Sequence, residues 1–297
     1  MNIKIDFMGI GAARAGTTWL WSILNQHPNI WMPPIKELHY FDRSLDYPSP
    51  SVLADDRFID RLFGTGKHHA SFRKLFIQSI GKSILIPQKW GDMRWKLRYF
   101  LGTYNDNWYL SLFDIRKKAT LGEITPAYSI LSRKDIQHIS ELFPELKVIY
   151  LIRNPVDRAW SGIRYRWSKG TLDINNLEEV IRIIESPSQA YRSDYFRTIQ
   201  NWSACFPKKQ ILICFFDDIV TQPQQLIKKI LTFLNVDPTI PTPNNKLNVK
   251  VNASREKHIP EMVNRYLAKK YYPEVMKLVP LVSGYSEMWL REIELIL

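Results

Sequence analysis

Three short stretches bring together residue types that bind anions or exchange protons. The first, Phe7-Met-Gly-Ile-Gly-Ala-Ala-Arg-Ala-Gly-Thr-Thr-Trp-Leu20, places Gly9, Gly11 and Gly16 between an apolar strand (Ile3, Ile5, Phe7) and a helix carrying Leu20, Trp21, Ile23 and Leu24. A strand, a glycine turn and a helix N-terminus form an anion cradle, because glycines let backbone N–H groups approach a ligand and first-turn amides have no partner of their own. The second, Lys36-Glu-Leu-His-Tyr-Phe-Asp42, interleaves Lys36, Glu37, His39 and Asp42 with Leu38, Tyr40 and Phe41, so polar groups sit on a segment that aromatic packing can fix. In the third, Val148 to Ile152 is an uninterrupted apolar run of the kind a central parallel strand needs, closed by Arg153, with Pro155 opening a helix and Ser161 eight residues beyond the arginine. Ligands of open α/β sheets bind past the carboxyl ends of strands, and an arginine fork with a hydroxyl suits a dianionic phosphate.

The spacing Gly11-x4-Gly16-Thr17-Thr18 follows the phosphate-loop pattern, with Thr17 where that pattern has lysine and a cation earlier, at Arg14. A glycine turn capping a core helix is the plain structural alternative. At Ala13-Arg-Ala-Gly-Thr-Thr-Trp-Leu20, however, the chain resembles the 5′-phosphosulfate loop of sulfotransferases that use 3′-phosphoadenosine 5′-phosphosulfate (PAPS). Lys36–Asp42 is similar to the K-E-x-H-[FY]-F-[DS] signature of their heparan-sulfate-type branch, and Leu151–Ser161 to their 3′-phosphate motif at every fixed position. Gly122-Glu-Ile-Thr-Pro-Ala-Tyr128 resembles a further family element in which a lysine often stands where this chain has Ile124, a departure that removes a cation near the acceptor. Val251–Pro260, with Ser254, Arg255, Lys257 and His258, loosely resembles the basic loop that closes over the nucleotide, Glu256 standing where glycine is common.

The resemblance implies a set of roles. Arg14, Ala15, Gly16, Thr17 and Thr18 would hold the 5′-phosphosulfate, with Trp19 near the adenosine. Arg153 and Ser161 would hold the 3′-phosphate, and Ser254, Arg255 and Lys257 would close the nucleotide site. Glu37 would act as general base, with Arg14 neutralising the leaving phosphate and His39 orienting the acceptor or sharing the proton. Lys36, His39, Asp42, Thr125, Tyr128 and Trp108 would line the acceptor pocket. For Glu37 the structural alternative is a surface carboxylate paired with Lys36, for His39 a packing histidine, and for the 251–258 segment an exposed charged loop. The co-substrate implied is PAPS, with no metal.

Composition bounds the setting. With 297 residues, 45% of them hydrophobic, the chain can bury one large core, and a single domain over 1–297 is expected. The excess of 41 Lys and Arg over 29 Asp and Glu, a formal charge of +12, calls for an anionic partner. The basic residues are dispersed and no nucleic-acid signature appears, so a polyanionic small molecule is favoured over nucleic acid. No run is long and apolar enough to span a membrane and no basic-then-apolar leader precedes the first strand, which together predict a soluble, cytoplasmic protein. Cys205 and Cys214 read as two thiols of a reducing compartment, and no Cys/His cluster has metal-ligand spacing.

These stretches require scaffolding. Strand patterns alternating with helical ones, at about Asn176–Glu185, Ala190–Cys205, Pro223–Leu234 and from about Glu261, predict an α/β fold: a P-loop-like parallel sheet flanked by helices on both faces. From Ser44 to about Asp114 the periodicity lapses and Trp90, Trp95, Tyr99, Phe100, Tyr104, Trp108 and Tyr109 accumulate, which predicts an aromatic-rich lid or substrate-binding insertion, although any single ring reads more readily as closing the insertion's own core. The function expected is transfer of a sulfuryl group from PAPS to a hydroxyl or amine of a small-molecule or natural-product acceptor. A glycan O-sulfotransferase is the alternative within the class, and a P-loop kinase or a non-enzymatic binder of anionic glycans are the alternatives outside it. The spacing says nothing of oligomeric state.

Overall fold

The computed structural model describes residues 4–48, 52–84, 90–113, 119–240 and 258–297. In chain order it runs β1 (Phe7–Gly11), α1 (Thr17–Leu24), β2 (Ile30–Trp31), α2 (Phe58–Phe63), α3 (Lys67–Ile84), α4 (Trp90–Leu101), α5 (Asp106–Ser111) and β3 (Thr120–Ile124). A 3-10 turn over Pro126–Ile130 leads to α6 (Arg133–Leu142), β4 (Lys147–Ile152), α7 (Pro155–Ser168), α8 (Leu177–Ile184), α9 (Pro187–Ser193) and α10 (Tyr195–Ser203). Then come β5 (Ile211–Phe215), α11 (Phe216–Thr221) and α12 (Pro223–Phe233), with helices Glu261–Leu278 and Tyr285–Ile296 at the end. None of the described helices is long and apolar enough to cross a membrane.

The sheet is parallel throughout, in the order β2-β3-β1-β4-β5. Its middle strands have no wet face. Every residue of β1 is buried, and Val148, Ile149, Tyr150, Leu151 and Ile152 are each at most 1% exposed, so side chains pointing both ways from β4 are covered by helices. Burying an aliphatic or aromatic side chain of this size contributes about 1.5–3 kcal/mol, which makes the two strands the anchor for everything attached to their ends.

The segment between β2 and β3 is more regular than its sequence suggests. Four helices, α2 to α5, close over a cluster in which Phe76 and Phe100 centroids lie 5.5 Å apart and Tyr104 and Trp108 4.1 Å apart. At its centre Arg61 is fully buried, its guanidinium 3.5 Å from the Tyr104 ring centre and donating to the carbonyls of Asp55, Asp56, Phe100 and Gly102 at 2.5–2.9 Å. The arginine therefore ties α2 to the end of α4. Helical spacing is blurred in this sequence because aromatic and basic residues serve the insertion's own core on several sides at once.

The expected helix over Ala190–Cys205 is two helices. Ser193 ends α9, and the Asp194 carboxylate accepts from Arg197 N at 2.9 Å to start α10. An aspartate that satisfies a first-turn amide favours a new N-terminus over continuation.

Candidate active site

The first and third stretches meet at one edge of the sheet. Phe7 pairs with Lys147 and Gly11 with Tyr150, and Ala12 N donates to Leu151 O at 2.5 Å. The loop after β1 thus leaves the sheet beside the strand end that carries Arg153. Gly16 has φ 93°, a conformation that demands glycine, and a Cβ there would lie 2.4 Å from Ile219 Cδ1 and 3.2 Å from Phe216 Cδ2, so the loop runs close against both side chains. The Arg153 guanidinium sits 4.4 Å from the centre of the same Phe216 ring. One aromatic side chain, at the carboxyl end of β5, lies against both candidate anion sites.

The cations are seated without being consumed. Arg14 stacks 3.6 Å over the Tyr165 ring, and among the described residues it has no ion pair within 4.0 Å. Burial pulls its guanidinium below the usual value, while the Tyr165 hydroxyl and the Glu37 charge act against that. Arg153 donates to Asp157 Oδ2 at 3.3 Å, but its buried Nε has no hydrogen-bond partner among the described residues. An unpaired buried donor is costly, and an anionic oxygen is the partner it suits. Thr17 and Ala15 are buried in the loop, Gly16 and Thr18 half-buried, and Ser161 is half-buried on α7. Trp19 is only 3% exposed and lies in the core under the loop. Ser254, Arg255 and Lys257 lie outside the described residues.

The second stretch is a charged loop with its own compensation. Lys36 Nζ donates to Glu37 Oε1, His39 Nε2 is 3.6 Å from Glu37 Oε2, and His39 Nδ1 donates to Asp42 Oδ2 at 2.8 Å. Asp42 is fully buried. For Glu37 the largest influence is burial, which pushes its pKa up, but the hydrogen bonds and charges of His39 and Lys36 together prevail and hold it down at about 2. For His39, burial pushes down and the two carboxylates prevail, raising it to about 10. At neutral pH the loop therefore presents a carboxylate and an imidazolium.

Backbone strain marks the same residues. Among the described non-glycine residues, positive φ occurs at Arg14 (71°), Glu37 (66°), His39 (55°) and Asn235 (60°). Asn235 is a residue type that tolerates this region and directly follows the C-cap of α12. The other three cost about 1–3 kcal/mol each where held by their surroundings, and such strain gathers at working sites.

What holds the loop is a buried relay. Glu123, 1% exposed at the end of β3, accepts from Thr125 Oγ1 at 2.6 Å, from Tyr128 OH at 3.1 Å and from Tyr109 OH. Thr125 Oγ1 in turn accepts from Leu38 N at 2.9 Å, and Tyr128 OH from Tyr40 N at 3.1 Å. Both expected pocket residues are 0% exposed, so Thr125 and Tyr128 position the loop from behind and line no pocket. Trp108, 6% exposed, donates from Nε1 to Arg98 O at 2.8 Å and packs on Tyr40, again as support for the loop.

One group of metal-ligating side chains does converge among the described residues: Asp55, His68 and His69. Its hydrogen bonds already account for it. Gly66 N donates to His69 Nδ1 at 2.8 Å, which leaves the ring proton on Nε2, aimed at Asp55 Oδ2 at 2.6 Å. A metal on Nε2 would need that proton moved to the nitrogen facing Gly66 N–H.

Sequence comparison agrees with the architecture. A model described as the sulfotransferase family matches residues 6–239, and the chain belongs to that family. The human bifunctional heparan sulfate N-deacetylase/N-sulfotransferase 2 is 22% identical over 250 residues, covering 78% of this chain and 22% of that protein. The human heparan sulfate glucosamine 3-O-sulfotransferase 5 is 22% identical over 260 residues, covering 83% of this chain and 56% of that one. The chain thus spans little more than half, or far less, of the curated relatives it matches. A sulfotransferase of known structure from Alicyclobacillus acidocaldarius superposes with a TM-score of 0.65 at 22% identity, covering 96% of this chain and 98% of that one. The sulfotransferase domain from the curacin biosynthetic pathway gives 0.51 at 20% identity, covering 82% and 76%.

Sequence reasoning did not single out Glu123, Tyr165 or Phe216. Tyr165 lies four residues beyond Ser161, one turn along the helix that Pro155 opens, so helical spacing contained that signal. Phe216 follows a strand end, the position where ligands bind in such sheets. Nothing in the local sequence marks Glu123 as the hub of three hydroxyl donors.

Proposed function

We propose that this protein transfers a sulfuryl group from PAPS to a hydroxyl or amine of a small-molecule acceptor, releasing 3′-phosphoadenosine 5′-phosphate (PAP). The observation that supports the reading is the juxtaposition of Gly16 and Arg153 against one Phe216 ring, which brings the two candidate anion-binding stretches side by side at the ends of adjacent strands. A nucleotide phosphorylated at both 5′ and 3′ positions fits two such sites, and a nucleotide with one phosphate chain does not need the second. Arg14 and the Gly16–Thr18 amides are the residues for the 5′-phosphosulfate, Arg153 and Ser161 for the 3′-phosphate. The donor supplies the activated sulfuryl group.

The chain's own residues orient the acceptor and take its proton. A carboxylate held at about 2 is ionised but weakly basic at neutral pH. Glu37 accepts the hydroxyl proton late, as the new O–S bond makes that hydroxyl strongly acidic. His39 keeps its proton and is a donor, which suits it to orient the acceptor. Arg14 stabilises the charge that develops on the departing phosphate. The curated relatives named above act on heparan sulfate, and a glycan hydroxyl is the second reading. Ile124, at the position where the resembling family often has a lysine, is a core residue 1% exposed against Gly9 and brings no charge there, which favours the smaller substrate.

Arg153→Ala tests the site. It is expected to weaken PAP binding roughly 10- to 100-fold by calorimetry, as for loss of a charged partner, while leaving affinity for adenosine 5′-phosphosulfate, which lacks the 3′-phosphate, nearly unchanged. Equal losses for both nucleotides, or none, would remove Arg153 from the nucleotide site.

A further inference from the structure

Resting on the sulfuryl-transfer reading, we propose that Glu123 is a positioning residue for the proton acceptor: as the common acceptor for the hydroxyls behind the Lys36–Asp42 loop, its carboxylate fixes the peptides that hold Glu37 and His39 in place. Three successive peptide groups of the loop are pinned by buried side chains. Leu38 N, of the peptide after Glu37, donates to Thr125 Oγ1 at 2.9 Å. Leu38 O, of the peptide before His39, accepts from Tyr99 OH on α4 at 3.2 Å. Tyr40 N, of the peptide after His39, donates to Tyr128 OH at 3.1 Å. The φ of 55° at His39 thus lies between two pinned peptides, and left-handed backbone persists only where its surroundings over-determine it. Tyr99, Glu123, Thr125 and Tyr128 are each at most 2% exposed, so losing one partner leaves a buried group unsatisfied.

Two of the three pins end on Glu123, and they dictate its chemistry. A backbone N–H only donates, so Thr125 and Tyr128 each accept one and turn their single proton to Glu123, at 2.6 Å to Oε2 and 3.1 Å to Oε1. Tyr109 OH, on α5, donates to Oε1 as well. Both oxygens must therefore accept, which a carboxylate does and an amide does not. An amide nitrogen at the Oε2 position would face the Thr125 proton, and at the Oε1 position the protons of Tyr128 and Tyr109. Either way one pin is broken or reversed. The carboxylate also supports the charge pattern of the loop: burial pushes its pKa up, and the three hydroxyls and the positive charge of His39 act against that. Beside Glu37 and Asp42 of its own loop, His39 thus has a third carboxylate, on β3, acting on it.

Two readouts need no acceptor: the His39 titration by NMR, its signal assigned by loss in His39→Gln, and PAP affinity by calorimetry. Turnover is read by product mass with PAPS and 4-nitrophenol, tyramine and glucosamine as acceptor probes, and the first two readouts decide if none of these is sulfated. Glu123→Gln, matched in size, is expected to lower kcat roughly 10- to 100-fold, the scale of a small misplacement of a reacting group, with PAP affinity unchanged. His39 should lose its proton roughly one pH unit below its value of about 10. Thr125→Val, which keeps the carboxylate and removes one pin, should move turnover and titration in the same direction, and Thr125→Ser should restore them. If Glu123→Gln fails to fold, the Thr125 pair decides. An unchanged His39 titration in folded Glu123→Gln, loss of PAP affinity in step with kcat, or a serine variant as impaired as the valine one would show that Glu123 only stabilises the core, and would overturn the proposal. Absence of PAP binding by the unmodified protein would instead overturn the sulfuryl-transfer reading, while the His39 titration would still show whether Glu123 sets the loop.

Discussion

The two walls of the site hold charge by opposite means. In the loop Lys36–Asp42 each charged group faces a partner of opposite sign within the loop itself, and the chain accepts left-handed backbone at Glu37 and His39 to arrange it. Across the site, Arg14 and Arg153 rest on the rings of Tyr165 and Phe216, and among the described residues only Arg153 of the two has a carboxylate partner, the half-exposed Asp157. On the proposed reading, the groups that must sit in one protonation state and one place before an acceptor arrives are the ones compensated internally. The two arginines proposed to receive the donor's anions are oriented by aromatic faces, which fix position without cancelling charge. The difference teaches that a site can be rigid on both sides and still leave its net charge to be completed by ligand.

The largest expected effect breaks the internally compensated wall. Glu37→Gln should lower sulfuryl-transfer turnover by at least ~100-fold, the usual scale for loss of a general base, with PAP affinity nearly unchanged by calorimetry. A loss of less than tenfold would show that this carboxylate is not the proton acceptor.

A subtler change uncouples that wall's charges. Because Glu37 is depressed from 4.5 to about 2, its contribution to the loop's stability is present above the unfolded value and disappears only as pH falls through about 2. Because His39 is raised from 6.5 to about 10, its contribution is complete below 6.5 and is lost as pH rises through about 10. The pH–rate profile of the protein should therefore lack an acid limb near 4.5 and show an alkaline limb near 10. Asp42→Asn removes the carboxylate that does most to raise His39, so the alkaline limb should move to lower pH. An alkaline limb that stays in place would assign that ionisation to another group.

The smallest effect sharpens the other wall. Tyr165→Leu should raise the KM for PAPS by roughly 2- to 10-fold, the range expected for a cation–π contact of about 0.5–1 kcal/mol or somewhat more, while kcat changes less. Tyr165→Phe keeps the ring and should recover most of the loss. If phenylalanine behaved like leucine, the hydroxyl and not the ring face would be what holds Arg14.

Much of this was legible locally. The glycine turn after Phe7, the apolar run Val148–Ile152 ending in Arg153, and the polar residues threaded through Lys36–Asp42 are patterns set by backbone freedom, strand burial and side-chain chemistry over a few residues. They sufficed for the parallel α/β sheet and for the sulfotransferase family. The aromatic insertion was legible only in part: a ring there reads singly as core and collectively as a binding surface, and Trp108, Tyr99 and Tyr104 are buried among one another. An aromatic ring serves a core and a ligand equally well, and sequence does not say which neighbours claim it first.

The sequence alone determined which groups are candidates to bind anions and move a proton, because those capacities belong to residue types at short spacings. Only the tertiary structure decided their state. The basicity of Glu37, the charge on His39, the support of their loop by Glu123 through Thr125 and Tyr128, and the approach of Arg14 to Tyr165 arise between residues up to 151 positions apart. Burial and Coulomb forces depend on distance in space, and the parallel sheet, by bringing the ends of β1, β3, β4 and β5 to one edge, is what sets those distances.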